Sequence, residues 1–266
     1  MRFSFAFACV SFFAVSSLVG CSVETVTTEP SPRDDSAAQR IPNNDPTPPT
    51  KETKTQPIGN TDPNGDLPHA EVVYVFMEDK IGQGWMCTGT LVAKDRVVTA
   101  AHCLEPDKFV AWEIVAPLAP GKPRVSASNP KVFGGSFEEV ANPDVGFLTL
   151  SKPITLPIYA QLTDVVAQVE AGTKVEATSV VRTDQTAESP LFTEATMPVS
   201  STVKYGYEHG FGTPMFSKGG DSGAGLFLVE NGKVTHKLIG VARQPEPERE
   251  LDHFTRIDAA FLAWYE

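Results

Sequence analysis

The alternation of apolar and polar positions divides the chain into three stretches. Residues 3–19 form an almost uninterrupted apolar run that follows a single arginine. Residues 22–57 are polar, rich in proline and threonine, and free of aromatic side chains. Such a stretch cannot bury enough apolar surface to offset the entropy of ordering, so we expect a disordered tether. From residue 58 onward, short apolar segments alternate with turn residues, and this third stretch predicts the folded domain.

The short apolar segments of the third stretch predict β-strands. They are rich in β-branched and aromatic residues, and turn clusters bound most of them: 70–78, 85–93, 96–100, 108–116, 145–150 and 173–181. Residues 225–242 predict a hairpin with Asn231 and Gly232 at its turn. Only residues 257–266 predict a helix. Many short strands with few helices indicate an all-β antiparallel sandwich or barrel.

The apolar run at the start predicts export. It ends in the sequence LVGC, which resembles a bacterial lipobox whose Cys21 becomes the lipidated first residue of the mature protein. We therefore expect a signal peptide at 1–20, a tether at 21–57 and a domain at 58–266. The expected location is the periplasmic or cell-surface side of a bacterial membrane, with the lipid on Cys21 as the anchor. An ordinary secretory signal and a short membrane helix are the alternatives, although the run is short for a span.

Composition narrows the class of partner. The chain has 266 residues, of which 41% are hydrophobic, so it can build one or two domains with a core. Its formal net charge is −11. Surfaces that bind a nucleic-acid backbone are basic, so this charge argues against a nucleic-acid partner.

One serine stands among glycines in the sequence GGDSG, at 219–223. Ser222 could be a simple turn residue. A serine hydroxyl acts as a nucleophile only with a base, a group that orients the base, and donors for the developing oxyanion. Glycine at Gly220 would let the backbone turn so that its N–H and that of Ser222 point to one spot.

Two further segments supply groups of the required kind. The sequence VVTAAHC, at 97–103, ends a predicted strand and presents His102, which could equally be a buried core histidine. Asp144 stands directly before the apolar strand 145–150. A carboxylate at that position can be partly buried and must then be paired, and His102 is a suitable partner. Taken alone, Asp144 could also be a turn aspartate after a proline.

The cysteines predict one disulfide. Loss of the signal peptide removes Cys9 and lipidation occupies Cys21, so Cys87 and Cys103 are the remaining thiols. In an oxidising compartment they should pair, which would clamp the segment carrying His102 onto the strand carrying Cys87. The alternative is half of a metal site. Two cysteines without a His-x-x-His pattern disfavour zinc, and we expect no metal and no organic cofactor.

Together these motifs resemble those of the chymotrypsin/trypsin-like serine proteases. TAAHC matches the family's histidine motif, NPDVGFLTL its aspartate strand and GDSG its serine motif, in the family's order. The resemblance covers 58–266 and implies two six-stranded antiparallel β-barrels with the site in the cleft between them. It also implies a catalytic triad of His102, Asp144 and Ser222, and an oxyanion hole made by the N–H groups of Gly220 and Ser222. The implied substrate is a protein or peptide.

Three positions of the implied substrate pocket depart from the family's pattern. Phe216 stands where the family forms the pocket floor, so no acidic floor is expected there. Asp252 is placed to line the pocket from the opposite side, which would favour a basic residue before the scissile bond, but it could also be a surface acid. Arg243 begins the segment that replaces the family's substrate-pairing strand. Pro245 in that segment removes one backbone donor.

The resemblance also predicts a route of activation. In the family a new N-terminus pairs with the aspartate before the catalytic serine, which here is Asp221. Ile58, in the sequence PIGN, is the candidate new N-terminus, because its spacing from Cys87 fits. The implied activation pair is therefore the amine of Ile58 with Asp221.

Two other functions stay open at this point. A pseudoprotease, acting as a binding module on the same fold, is favoured by the altered segment 243–245 and by Lys218, which replaces a cysteine of a second family disulfide. The intact triad argues against it. A serine hydrolase of another fold is suggested by GDSGA, which resembles a nucleophile elbow with one change. That elbow needs a following helix, whereas the sequence predicts a hairpin.

Overall fold

The computed structural model describes residues 56–57, 69–134, 138–182, 191–193 and 196–266. All of these belong to one compact unit that spans 50–266. Cys21, the tether up to residue 55 and Ile58 lie outside the described residues, so the signal peptide, the lipid anchor and the new N-terminus stay predictions. Among the described helices, none is long and apolar enough to cross a membrane.

Short strands dominate the described residues. The strands are β1 (Gln56–Pro57), β2 (Val72–Asp79), β3 (Gly84–Ala93), β4 (Arg96–Thr99), β5 (Phe109–Val115), β6 (Arg124–Phe133), β7 (Val145–Leu150), β8 (Gln161–Leu162), β9 (Glu176–Arg182), β10 (Leu191–Thr193), β11 (Met197–Pro198), β12 (Ser200–Ser201), β13 (Gly210–Pro214), β14 (Gly225–Glu230), β15 (Lys233–Glu246) and β16 (Leu251–Arg256). The α-helices are α1 (Val166–Glu170) and α2 (Ala259–Tyr265). Single 3₁₀ turns occur at Ala101–Cys103, Val203–Tyr205 and Pro247–Arg249.

The first barrel is closed and six-stranded, in the order β2-β3-β4-β7-β6-β5. Its strand β2 is apolar on both faces because both faces are covered. Val73 and Val75 of β2 point into the barrel core, whereas Val72 and Tyr74 belong to a second cluster that the two barrels share. This double burial explains why the β2 sequence reads as a continuous apolar run instead of alternating.

The second barrel is built on the antiparallel order β9-β14-β15-β16-β13. The segment 197–201 closes it, because β11 pairs with β9 while β12 pairs with β13. The hairpin β14–β15 confirms the sequence prediction, with Asn231 and Gly232 both at positive φ. The fold is thus the predicted pair of antiparallel β-barrels.

The C-terminal helix α2 covers the seam between the barrels. Asp258 caps it by accepting a hydrogen bond from the N–H of Phe261 at 2.9 Å. The Phe261 ring is fully buried and lies 5.5 Å from the ring of Phe133, and Trp264 lies 5.4 Å from Phe147, both in the first barrel. Because the helix follows β16 directly, it ties this strand of the second barrel to the first barrel.

The predicted disulfide joins Cys87 on β3 to Cys103, directly after His102. Both cysteines are buried. The indole N–H of Trp112 donates to the Cys103 carbonyl at 2.9 Å, which fixes the same turn from β5. The short 3₁₀ turn that carries His102 is therefore held by a covalent bond on one side and a buried hydrogen bond on the other.

We expect replacement of both cysteines, Cys87→Ala with Cys103→Ala, to lower the free energy of unfolding by about 3 kcal/mol. The loop closed by this bridge is short, and its closure restricts the unfolded chain by about that much. Chemical denaturation of the variant and of the parent, with and without reductant, measures the difference. Unfolding curves that coincide for the variant and the oxidised parent would contradict the role given to the bridge.

Candidate active site

His102 and Asp144 form a directly bonded pair. The Nδ1 of His102 lies 2.7 Å from Oδ2 of Asp144, and the backbone N–H of His102 donates to Oδ1 at 2.9 Å. Asp144 is almost fully buried, whereas about a quarter of the His102 side chain is exposed. A carboxylate held on Nδ1 fixes the imidazole so that its Nε2 is the nitrogen presented outward.

The second barrel helps to place Asp144. The N–H of Asp144 donates to Oγ1 of Thr255, on β16, at 3.0 Å. Arg243, on β15, donates from its guanidinium to three backbone carbonyls of the loop before Asp144, those of Glu139, Val140 and Asn142. Arg243 therefore holds this loop in addition to lining the cleft, a role that the sequence did not suggest.

Ser222 lines the same cleft as His102 and Asp144. This cleft has a volume of about 400 Å³, and Glu105, Lys108, Lys218, Gly219, Arg243, Gln244 and Pro245 complete its lining.

The loop around Ser222 has a backbone that needs glycine at two positions. Gly220 has φ of +89° and Gly223 has φ of +84°, a region that side chains with a Cβ rarely adopt. A Cβ at Gly223 would also collide with the Thr88 carbonyl and the Thr99 hydroxyl. Among the described residues, the N–H groups of Gly220 and Ser222 have no hydrogen-bond partner, as donors for an oxyanion require.

A family model described as Trypsin matches residues 58–265. The chain belongs to the trypsin family. Solved structures with the same fold include a thermostable serine protease AL20 from an extremophilic microorganism, with TM-score 0.58 and 14% identity over 74% of this chain and 95% of that one. A Glu endopeptidase has TM-score 0.58 and 15% identity, over 79% of this chain and 94% of that one. An inactivated protease paralogue of the scabies mite has TM-score 0.54 and 21% identity, over 74% and 93%. No curated protein sequence matches the chain.

Asp221, the aspartate before the serine of this trypsin-family chain, is held by an arginine. Oδ1 of Asp221 lies 3.8 Å from Nε of Arg182 and accepts the Arg182 backbone N–H at 3.2 Å, and both side chains are almost fully buried. The N–H of Lys218 donates to Oδ2 at 2.9 Å. Burial raises the pKa of Asp221, and these hydrogen bonds and the charge of Arg182 oppose that effect.

Arg182 also fixes the loop that carries the predicted oxyanion donors. Its Nη2 donates to the Gly219 carbonyl at 2.8 Å. The guanidinium lies so close to Gly220 that a Cβ there would collide with it. The role of Arg182 was not predicted from the sequence, although an arginine that ends a run of buried β-branched residues is a signal that it needs a buried partner. The sequence predicts the amine of Ile58 as the partner of Asp221, and Ile58 lies outside the described residues.

Asp252 lies behind Phe216 and Ser217 and does not line the cleft. It is 1% exposed, and its carboxylate accepts hydrogen bonds from the N–H groups of Phe216 and Ser217 and from the Ser217 hydroxyl, at 2.6–2.8 Å. Phe216 packs its half-buried ring toward the core of the second barrel. Neither Phe216 nor Asp252 lines the cleft. The alternative of a surface acid is wrong for Asp252, and its contacts give it a positioning role.

We expect Arg182→Met to lower the free energy of unfolding by about 3–5 kcal/mol at pH 7.5. It leaves the buried Asp221 carboxylate without its cation, and such a broken pair costs about that much. Arg124→Met is the matched control, because Arg124 pairs with Glu113 at the surface, where ion pairs contribute at most about 1 kcal/mol.

Chemical denaturation measures both variants. Adding Asp221→Asn to Arg182→Met should restore part of the loss by removing the uncompensated charge. Equal, small losses for Arg182→Met and Arg124→Met would contradict the importance of the buried pair.

His253, next to Asp252, is a buried histidine that the sequence analysis also missed. The pKa of His253 is lowered from 6.5 to about 4, mainly by burial and next by the charge of Arg243. Its Nε2 lies 2.6 Å from Oε2 of Glu246, and its ring stacks on Tyr207 at 3.7 Å. The charge of Asp252 opposes the lowering of the pKa, but the buried position next to a fixed cation favours the neutral ring.

We expect stability to fall as the pH decreases from 6.5 to about 4, in part because of His253. The unfolded chain binds a proton on this residue near pH 6.5, whereas the folded chain resists it until about pH 4. His253→Gln should make the dependence of unfolding free energy on pH shallower in this window. A histidine NMR titration of the parent checks the assignment directly, and a midpoint for His253 above 6.5 would show that Glu246 dominates instead.

Proposed function

We propose that this trypsin-family protein is a serine endopeptidase that cleaves peptide bonds through an acyl-enzyme. The observation that carries the proposal is the bonded pair of His102 and buried Asp144 beside Ser222 in one cleft. Acyl transfer needs a serine beside a histidine that a carboxylate orients. It also needs N–H donors near the serine, and the N–H groups of Gly220 and Ser222 have no partner among the described residues.

In the proposed reaction, the Ser222 hydroxyl attacks the carbonyl carbon of the substrate while His102 takes its proton. The negative charge that develops on the carbonyl oxygen is stabilised by the N–H groups of Gly220 and Ser222. His102 then gives the proton to the leaving amine, and the C–N bond breaks. Water repeats these steps on the ester and releases Ser222. Asp144 orients His102 and stabilises its cationic form throughout.

The cleft carries charges of both signs, since Lys108, Lys218 and Arg243 line it together with Glu105 and Asp144. The carboxylate of Asp252 accepts hydrogen bonds from its neighbours Phe216 and Ser217. The preference for a basic residue before the scissile bond therefore stays a prediction.

Activation by cleavage before Ile58 is a separate proposal, and the contacts of Asp221 weaken it. Arg182 already supplies a buried cation to this carboxylate. A chain in which this pair holds the loop would be competent without a new N-terminus. We also propose that Cys21 carries a lipid and that the domain faces the periplasm or the cell exterior.

A pseudoprotease is the second candidate function. Pro245 at the edge of the cleft lacks the N–H that a substrate-pairing strand would offer, and the Arg243 guanidinium borders the cleft beside it. In this case the cleft would bind a protein segment without cutting it. The distinction depends on whether Ser222 is reactive.

We expect the purified full-length chain to gain the mass of one fluorophosphonate adduct, because the reagent reacts with a serine only where a base activates it. Intact mass spectrometry measures the adduct and also shows whether the labelled chain begins before or at Ile58. Ser222→Ala and His102→Ala should abolish labelling. Ser200→Ala, at an exposed serine on β12, is the control and should label as the parent does.

A folded protein that forms no adduct, either as the full chain or after cleavage before Ile58, would overturn the endopeptidase proposal in favour of the binding module. An adduct that still forms in Ser222→Ala would show that another serine is the reactive one. Labelling of the uncleaved chain would reject activation through Ile58.

A further inference from the structure

A buried carboxylate and two histidines meet away from the catalytic cleft. Oε1 of Glu71 lies 3.3 Å from Nδ1 of His69 and 2.6 Å from Nδ1 of His236. Glu71 is 1% exposed and His69 is 5% exposed, while about a third of the His236 side chain is exposed. None of the three lines the cleft.

We propose that His69, Glu71 and His236 form a zinc site that joins the two barrels. Two imidazoles and one carboxylate are a donor set that zinc uses in proteins. The three donor atoms lie within 4.8 Å of one another. The donors come from both barrels. His69 and Glu71 lie just before β2 of the first barrel, and His236 lies on β15 of the second.

The distances fit an ion of this size. Bonds of about 2.0–2.1 Å in a tetrahedral site place donor atoms about 3.3 Å apart. The separation of Glu71 and His69 already has this value. The separation of Glu71 and His236 is that of a hydrogen bond, 2.6 Å, and has to lengthen by about 0.7 Å to reach this value. The partial exposure of His236 gives an ion a route of entry.

The backbone is irregular at His69 and in the strand pairing opposite His236. His69 has φ of +55°, a left-handed conformation that costs a residue with a side chain about 1–2 kcal/mol. The β14–β15 ladder shifts register between Phe227 and Val229, opposite the segment that contains His236. Bulges of this kind redirect side chains and are frequent next to functional sites. Two independent distortions thus bring both imidazoles onto Glu71.

Packing holds the site in place. The ring of His69 lies 4.5 Å from that of Phe227, which is fully buried, and 5.5 Å from the ring of His236. The carbonyl of Glu71 accepts the N–H of Leu91 at 2.7 Å. An ion bound here would connect a rigid part of one barrel to a rigid part of the other, so its effect would be on stability and not on chemistry in the cleft.

The sequence disfavours zinc because it has only two candidate cysteines and no His-x-x-His pattern. The proposed site has neither, since His236 is 165 positions from Glu71. The two residues come together only because the two barrels pack against each other.

Calorimetric titration of the EDTA-treated protein with zinc chloride tests the proposal. All samples carry His102→Ala, which removes the imidazole of the catalytic cleft as a competing ligand. We expect one zinc ion per chain. At zinc 100-fold above the dissociation constant, the midpoint of thermal unfolding should rise by about 5 °C or more.

Glu71→Gln and His236→Gln should each weaken zinc binding at least about 100-fold and abolish the thermal shift. His209→Gln is the matched control, because His209 also contacts a carboxylate, that of Asp258, at 3.3 Å, and it should bind as the parent does. His236 is partly exposed, so its variant keeps the test valid if Glu71→Gln does not fold. Absence of zinc binding by the folded parent, or binding that survives His236→Gln, would overturn the proposal. Fluorophosphonate labelling does not enter this test, so it stands apart from the endopeptidase proposal.

Discussion

Two hydrogen bonds from Thr88 join the serine loop to the first barrel, and the site depends on them. The N–H of Thr88 donates to the Ser222 carbonyl at 2.8 Å, and the Thr88 hydroxyl donates to the Gly220 carbonyl at 3.0 Å. Thr88 lies on β3, one residue from the disulfide cysteine Cys87. The strand that is covalently linked to the His102 turn therefore also sets the position of Ser222, although the two residues belong to different barrels.

Each buried carboxylate near this junction has a specific partner. Asp144 contacts His102, Asp221 contacts Arg182, and Asp252 contacts the pocket segment at Phe216 and Ser217. A carboxylate without water or a partner is strongly unfavourable, so each of these acids restricts the conformation of the segment that it binds. The apolar cores hold the barrels together, and the acids determine how the loops between them are arranged.

The strands and the site were predictable to different extents. Runs such as VVYVF and VGFLTL predict strands because both faces of those strands are buried, one in a barrel and one in the cluster between barrels. β6, β13 and β16 were not among the predicted strands, because polar residues, glycine and proline interrupt their apolar pattern. The helix α1 was missed because five residues give no helical period.

The sequence by itself determined the fold class, the trypsin-like motifs and their order, and the disulfide, since each of these depends on local pattern or on residue type. Apart from the pairing of Asp144 with His102, only the tertiary structure decided the partners of the buried charges. Arg182 reaches Asp221 from 39 positions away, Arg243 reaches a loop about 100 positions away, and His236 reaches Glu71 from 165. No local pattern encodes such pairs, because they form only when segments that are distant in the chain pack together and exclude water.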